Sequence, residues 1–223
     1  MKYEFGTNNF SGGSQTPSSA PSSNIVSSVG NSFSVTVPAY TMVVLTIPFA
    51  APANTPPLLT AISNFTVNVG QFVAFTASAT DTDAPPQALT FTLLTGPTNA
   101  TLNTNSGAFS YRPLVTQSNS TNLFTLKVAD NGTPSLSAMQ SFNVFVNPLA
   151  SSTIAAAMVS GGVLLTFNGT VGPDYAVQAS TNLTQWSTLY TTNSPSLPFI
   201  WTDTNKSSFP ARFYRLQAGP PLP

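Results

Sequence analysis

Short runs in which apolar and polar residues alternate recur along this 223-residue chain. Leu89, Phe91 and Leu93, for example, alternate with Thr90 and Thr92. A period of two is typical of a strand with one face on a core and the other in water. Glycine, proline and asparagine separate the runs, as turns between strands require. The pattern therefore predicts an all-β chain.

The strand pattern divides the chain into a partial β-domain tail with a Ser/Gly/Pro-rich loop, a proline-rich linker, a β-sandwich and a small terminal β domain, at residues 1–49, 50–57, 58–148 and 149–223. The tail has two clear strands, Ser32–Val37 and Thr41–Ile47, too few to bury a core of their own. Residues 58–148 carry about seven short strands, the signature of a sandwich. Among them the pattern predicts Phe65–Val69 and Phe72–Ala79. The fold class is thus tandem β-sandwich modules with a partial N-terminal β-domain.

The small number of charged residues restricts the possible functions of the chain more than any other property. Charged residues make up 5% of it, with six acidic and six basic side chains, and there is no histidine or cysteine. Most hydrolytic and transfer chemistry needs a carboxylate pair, an imidazole, a thiolate or a metal cluster. We therefore expect a chain that is not an enzyme. An enzyme in its own right is the least favoured of three hypotheses for its function.

The same composition limits partners and compartment. Six scattered cations make no basic patch, so nucleic acid is not an expected partner. No apolar run approaches the length of a membrane span, and the first residues lack the apolar core of a signal peptide. A surface rich in Ser, Thr and Asn favours an extracellular location, as part of a longer secreted precursor. The absence of cysteine excludes a disulfide framework.

Residues 54–147 resemble the cadherin-like, Ig-like sandwiches of bacterial secreted proteins, through NTPPLLTAISNFTVNVGQFVAFTASATDTD, LTFTLLTGPTNATLNTNSGAFSYRP and FTLKVADNGTPSLSAMQSFNVFVN. The resemblance implies a spacer that in some members binds calcium. Asp81, Asp83 and Asp130 stand where that family often places ligands, while Val69 replaces a common glutamate. The resemblance thus implies weakly bound calcium or no cofactor at all. As an alternative, the three aspartates are turn formers.

The two flanking segments resemble other modules of exported bacterial proteins. YAVQASTNLTQWSTLYTTNSP, FIWTDT and FPARFYRLQ are similar to a small β domain that closes many large exported proteins, and this likeness implies no activity. YEFGTNN and SFSVTVPAYTMVVLTIP are similar to the closing strands of the β-domain that follows the catalytic barrel in α-L-arabinofuranosidase-type glycoside hydrolases. That resemblance implies an upstream catalytic domain in the same parent chain.

The aromatic residues of the terminal domain admit two interpretations. Trp186, Tyr190 and Trp201 would stack on sugar rings if they were exposed, which predicts a carbohydrate-binding site for a polysaccharide or cell-surface glycan. Alternatively, both tryptophans supply core volume to a small domain. The favoured hypothesis is a non-catalytic accessory or spacer region of a secreted polysaccharide-degrading enzyme, with weak carbohydrate attachment as an added role. The alternative is a calcium-assisted, cadherin-like adhesion or extracellular matrix module.

Overall fold

The computed structural model describes residues 2–5, 22–24, 42–45, 53–205 and 211–222. The chain divides into two compact units, residues 1–52 and 53–223. In the first unit the backbone forms an antiparallel sheet of order β2-β1-β3, from β1 (Lys2–Phe5), β2 (Ser22–Asn24) and β3 (Met42–Leu45). The strand predicted at Ser32–Val37 lies outside the described residues. Among the described residues, no helix is long and apolar enough to cross a membrane.

The first part of the second unit is a β-sandwich, here called the middle sandwich. Its strands are β4 (Leu58–Leu59), β5 (Phe65–Val67), β6 (Val73–Thr76), β7 (Ala79–Thr80), β8 (Thr90–Thr95), β9 (Ala100–Leu102), β10 (Ala108–Tyr111), β11 (Ser120–Ala129) and β12 (Ser137–Val146). The main sheets have the orders β6-β10-β9 and β5-β12-β11-β8, and β4 pairs with β7. Strand β5 runs parallel to β12, and the other pairs are antiparallel.

Alternation along the strands places one face of each main sheet in a common core. On β11, Phe124, Leu126 and Val128 are fully buried, while the intervening Thr125 hydroxyl bonds the hydroxyl of Ser141 on the outer face. Aromatic rings fill the centre of this core. The ring of Phe124 lies 5.2 Å from that of Phe109 in the opposite sheet, edge to face. The all-β fold class predicted from the sequence is confirmed.

One predicted strand of the middle sandwich is wrong. The run Phe72–Ala79 is not one strand, because the chain changes partner within it. Strand β6 pairs with β10, whereas β7 pairs with β4. Phe72 lies before β6 with 67% of its surface exposed. Alternation continues through both pieces, so the hydrophobic pattern alone carried no sign of the break.

The hydroxyl of Tyr111 is buried in this core without a hydrogen-bond partner among the described residues. Burial raises the pKa of Tyr111 to about 12. A pKa above the unfolded value near 10 means that stability is fully present below pH 10 and is lost as pH rises from there towards 12. We expect Tyr111→Phe to match or exceed the wild type by up to about 1 kcal/mol at neutral pH, and to be less sensitive to alkali.

Urea unfolding at neutral pH and near pH 11 measures both effects for Tyr111→Phe and wild type. Other tyrosines titrate in the two proteins alike, so the difference between them isolates Tyr111. A neutral-pH loss of more than about 1 kcal/mol would show that the hydroxyl has a stabilising partner.

The second part of the unit is a smaller sandwich, here called the terminal sandwich. Its strands are β13 (Thr153–Val159), β14 (Gly162–Asn168), β15 (Asp174–Ser180), β16 (Ser187–Thr192), β17 (Phe199–Asp203) and β18 (Phe213–Gly219). They form two sheets, β13-β14-β17 and β16-β15-β18. Leu165, Phe167 and Val177 are fully buried between them. The sequence pattern missed β13, since its TIAAAMV run does not alternate and both faces are exposed.

A buried carboxylate ties the two sheets of the terminal sandwich together. Asp203, on β17, is 2% exposed. Its Oδ2 accepts hydrogen bonds from the Tyr214 hydroxyl at 2.6 Å and from Arg212 Nη1 at 2.7 Å. Burial, together with the bonded Asp203, raises the pKa of Tyr214 to about 12. Asp203 therefore forms an ion pair with Arg212 and a hydrogen bond with Tyr214.

Candidate functional site

The three aspartates predicted as metal ligands lie at the end of the middle sandwich that residues 53–57 approach. Asp81 and Asp83 follow β7, and Asp130 follows β11. The Asp83 backbone N–H donates to Asp81 Oδ1 at 3.0 Å, which is the geometry of a side-chain-supported turn. The turn former alternative therefore describes the local role of Asp81.

Two amide side chains connect the carboxylates of Asp83 and Asp130. Asn54 Nδ2 donates to Asp130 Oδ2 at 3.1 Å, and Gln87 Nε2 donates to Asp83 Oδ2 at 3.2 Å. Gln87 Nε2 also makes a short hydrogen bond to Asn54 Oδ1. Within the described ranges, no three acidic, histidine or cysteine side chains are grouped as a metal site would require. The aspartates are therefore connected through bridging amide side chains, and their carboxylates do not converge on a single point.

Most oxygens in this neighbourhood already accept hydrogen bonds. The two carboxylate oxygens of Asp83 accept from the backbone N–H and hydroxyl of Thr55, each at 2.8 Å. Asp130 Oδ1 accepts from the N–H groups of Gly132 and Leu136. Partial burial raises the pKa of the Asp130 carboxyl, but these donors together outweigh burial and bring the pKa below its ordinary value.

Two other oxygens of the same neighbourhood have no donor in the described part of the structure. Among the described residues, Asp81 Oδ2 and Gln87 Oε1 are buried without a hydrogen-bond partner. Carboxylate and amide oxygens are the ligands that calcium prefers. The side chain at the position of the family's glutamate, Val69, is fully buried in the apolar core and offers no oxygen. The donor set therefore fits a hard cation in kind but is short of carboxylates.

The aromatic residues predicted to bind carbohydrate do not form one platform. Tyr190 and Trp201 stack with ring centroids 6.3 Å apart. Trp201 packs on the core of the terminal sandwich, as the core interpretation expected, while Tyr190 is 39% exposed. Trp186 lies elsewhere, on the outer face of the β16-β15-β18 sheet, where the guanidinium of Arg215 sits 4.3 Å from its ring centroid. The sequence interpretation of Trp186 as core is not what the structure shows.

A different cluster, centred on Arg112, joins the two sandwiches. Arg112 follows β10 of the middle sandwich, and Asp174 begins β15 of the terminal one. Arg112 Nη2 lies 2.6 Å from Asp174 Oδ1, and the two side chains are 24% and 9% exposed. Arg112 Nε also donates to Gly70 O at 2.7 Å, and its guanidinium carbon lies 5.2 Å from the Phe72 ring centroid. One side chain thus holds three groups from both sides of the joint.

Backbone contacts complete the joint. A Cβ on Gly70 would lie 2.5 Å from the carbonyl oxygen of Gly172, a distance that no real side chain allows. Ser194 N donates to Asp174 Oδ1 at 3.0 Å, which fixes the carboxylate that Arg112 meets. At a second point, the Val115 N–H donates to Pro220 O at 2.9 Å. The joint therefore consists of direct backbone packing, the ion pair between Arg112 and Asp174, and a separate backbone hydrogen bond.

Sequence reasoning missed this joint. Arg112 and Asp174 lie 62 residues apart and belong to modules that the sequence analysis treated separately. The sequence offered one signal. Only 5% of its residues are charged, so a charged side chain at a strand end has few possible partners of opposite charge. The glycines gave a second signal, since Gly70 and Gly172 have φ values of +77° and +118°, where glycine is favoured.

Comparison with known proteins gives weak similarities. No family model and no curated protein matches the chain. A nucleoside hydrolase-related hypothetical protein from Saccharophagus degradans, associated with carbohydrate metabolism, is 18% identical over 43% of this chain and 26% of its own, with a TM-score of 0.36. Cadherin domains 3–6 of protocadherin gamma B2 are 16% identical over 64% and 44%, with a TM-score of 0.37.

A further similar structure is the ectodomain of human desmocollin-1, which is 12% identical over 58% of this chain and 30% of its own, with a TM-score of 0.34. This chain thus matches less than half of the length of each of the three proteins. With identities and TM-scores this low, the similarities carry no argument about function. The fold described here rests on the sheets and cores of the chain itself.

Proposed function

We propose that residues 53–223 form a rigid, non-catalytic spacer in an exported polysaccharide-degrading enzyme. The observation that carries the proposal is the joint between the two sandwiches. Tandem domains usually move relative to one another unless their interface is extensive or specifically fixed. Here Arg112 bonds both domains, and Gly70 meets Gly172 at backbone distance. A spacer needs this property, because it sets a fixed distance between the modules that it connects.

The side-chain inventory supports a non-catalytic role. Among the described residues, two of the three arginines, Arg112 and Arg212, are paired with aspartates at 2.6 and 2.7 Å. Asp174 and Asp203 are therefore held in ion pairs that stabilise the structure. The resemblance of residues 1–48 to the closing strands of a glycoside hydrolase β-domain supports assigning the spacer to a polysaccharide-degrading parent.

An enzyme assay tests the non-catalytic part of this proposal. We expect the purified chain to release no product from aryl arabinofuranosides, xylosides or glucosides above the buffer rate, since it has no histidine or cysteine and its paired aspartates are occupied. Turnover that co-elutes with the polypeptide through two different columns would overturn the proposal. A catalytic glycosidase assayed in parallel shows that the substrates are competent.

A calcium-assisted adhesion module is the second candidate, because one observation favours it. Asp81 Oδ2 and Gln87 Oε1 are buried oxygens without partners among the described residues. Asp83 and Asp130, from the same neighbourhood, would complete the set of ligands. A bound calcium would supply the positive charge that holds these carboxylates together. Because the other oxygens already accept N–H groups, we expect the affinity to be no better than about 1 mM.

Thermal unfolding measures this affinity without any activity assay. With a dissociation constant of roughly 1 mM, about 5 mM calcium adds on the order of 1 kcal/mol, which raises the Tm by about 2–4 °C relative to chelator. Asp81→Asn should abolish the rise, while magnesium at the same dose should not reproduce it. A rise well above 4 °C would show a strong site and favour the adhesion role. No rise at all would leave the three aspartates as turn formers.

A further inference from the structure

The outer face of the β16-β15-β18 sheet carries a cation, Arg215, that has no carboxylate partner among the described residues. Tyr214 and Leu216 pack on the core, so the residue between them on β18, Arg215, points to the outer face. Arg215 is exposed, and its guanidinium lies 4.3 Å from the Trp186 ring centroid. Such stacking holds a guanidinium flat over an indole.

A buried glutamine fixes the same guanidinium from below. Gln178, on the central strand β15, is 4% exposed. Its Oε1 accepts a hydrogen bond from Arg215 Nε at 2.7 Å, and its Nε2 donates to Thr188 Oγ1 at 3.1 Å. Both ends of a buried amide are thus used to orient one arginine. A side chain held on two sides loses little conformational freedom when it binds a ligand.

In the described part of the chain, the two terminal nitrogens of Arg215 have no hydrogen-bond acceptor. Among the described residues, Arg215 bonds Gln178 and stacks on Trp186 but meets no carboxylate. Arg112 and Arg212, by contrast, are paired with Asp174 and Asp203. A positioned guanidinium with free terminal N–H groups presents the planar fork that matches a carboxylate.

A groove beside Arg215 has room for a chain-like ligand. Its volume is about 510 Å³, and it is lined by β18 residues that include Arg215 and Gln217, and by Val115 and Leu149. This volume falls within the range of ligand sites in proteins. Val115 belongs to the middle sandwich and β18 to the terminal one, so both sandwiches line the groove.

We propose that Arg215, backed by Trp186 and Gln178, binds a carboxylate of an acidic polysaccharide, with neighbouring sugar units lying in this groove. The site follows from the charge and geometry of the outer face. The choice of a polysaccharide over an acidic peptide rests on the proposed function. The contact is electrostatic and open to solvent, so binding weakens as salt is added.

An NMR titration with trigalacturonate tests the proposal on the full chain. The Arg215 Nε–H and Trp186 indole N–H signals should shift together, with a dissociation constant in the millimolar range. Arg215→Gln should weaken binding roughly tenfold or more, and Arg215→Lys, which keeps the charge but not the fork, should weaken it several-fold. The matched control Lys127→Gln removes the same charge from β11 and should bind as wild type does.

Several results would overturn the proposal: no shift with trigalacturonate, an equal loss in Lys127→Gln, or full affinity in Arg215→Lys. A neutral arabinotriose that binds equally well would show that charge is not recognised. A triglutamate peptide that binds as tightly through Arg215 would replace the polysaccharide with an acidic peptide. Turnover of sugar substrates would contradict the non-catalytic spacer function and leave the Arg215 measurements unchanged, so the two failures are distinguishable.

Discussion

Replacing Arg112 by methionine is expected to uncouple the two sandwiches and to lower the free energy of unfolding of the terminal one by about 3 kcal/mol. The substitution keeps the apolar stem but leaves Asp174, whose side chain is 9% exposed, without its cation. Both tryptophans, Trp186 and Trp201, lie in the terminal sandwich, so their fluorescence follows that domain alone. Far-ultraviolet circular dichroism follows both domains.

In the wild type the two signals should therefore change together during urea unfolding, and in Arg112→Met the fluorescence should change first. Lys127→Met is the control, since it removes a cation on β11 and leaves the joint intact. Adding Asp174→Asn to Arg112→Met removes the unpaired charge and should recover part of the lost stability while the transitions stay separate. Coincident transitions in Arg112→Met, at the midpoint of the control, would contradict a role for the arginine in coupling.

The second large effect is expected from Gly172→Ala, at about 3 kcal/mol in total. A Cβ there would lie 2.8 Å from the Val69 carbonyl oxygen and 2.7 Å from Gln71 Cγ. The φ of +118° adds strain on the order of 1–3 kcal/mol for any residue with a side chain. Gln71 has a flexible side chain that can move, but the Val69 carbonyl oxygen belongs to the backbone, so the joint must open to relieve that contact.

Gly161→Ala is a control that separates the cost of backbone strain from the cost of steric collision in Gly172→Ala. Gly161 has a φ of +146°, yet no atom that the structure describes lies within 4 Å of its added Cβ. We expect this variant to lose only the strain contribution and to keep its two domains coupled. Urea unfolding by fluorescence and circular dichroism compares the two variants directly. If both lose the same free energy and both retain coincident transitions, the close approach of Gly172 to Val69 and Gln71 is not part of the joint.

The sequence predicted the strands better than it predicted their partners. Alternation in runs such as Phe124, Leu126 and Val128 identified core-facing positions, because a two-residue period follows directly from strand geometry. It failed within residues 72–80, where the chain changes sheets while the alternation continues. It also failed at β13, whose alanines face solvent on both sides. Pairing is a long-range property that local periodicity does not encode.

For the candidate sites, too, the sequence predicted the residues involved better than it predicted their partners. Residue type and resemblance drew attention to Asp81, Asp83 and Asp130, and the structure places them in one neighbourhood. The bridging by Asn54 and Gln87 was not predictable, since amide side chains are common in this chain and carry no mark of their partners. Nor did the sequence show that Trp186 would stack on Arg215 outside the core.

The relative orientation of the two sandwiches in solution tests the account most directly. Residual dipolar couplings of backbone N–H groups, measured in a weakly aligned medium, report the orientation and mobility of each domain. If the joint is rigid, couplings from residues 58–146 and 153–219 will fit one alignment tensor in the orientation described here. Two tensors of different magnitude would show that the sandwiches move independently, and the rigid spacer would be wrong.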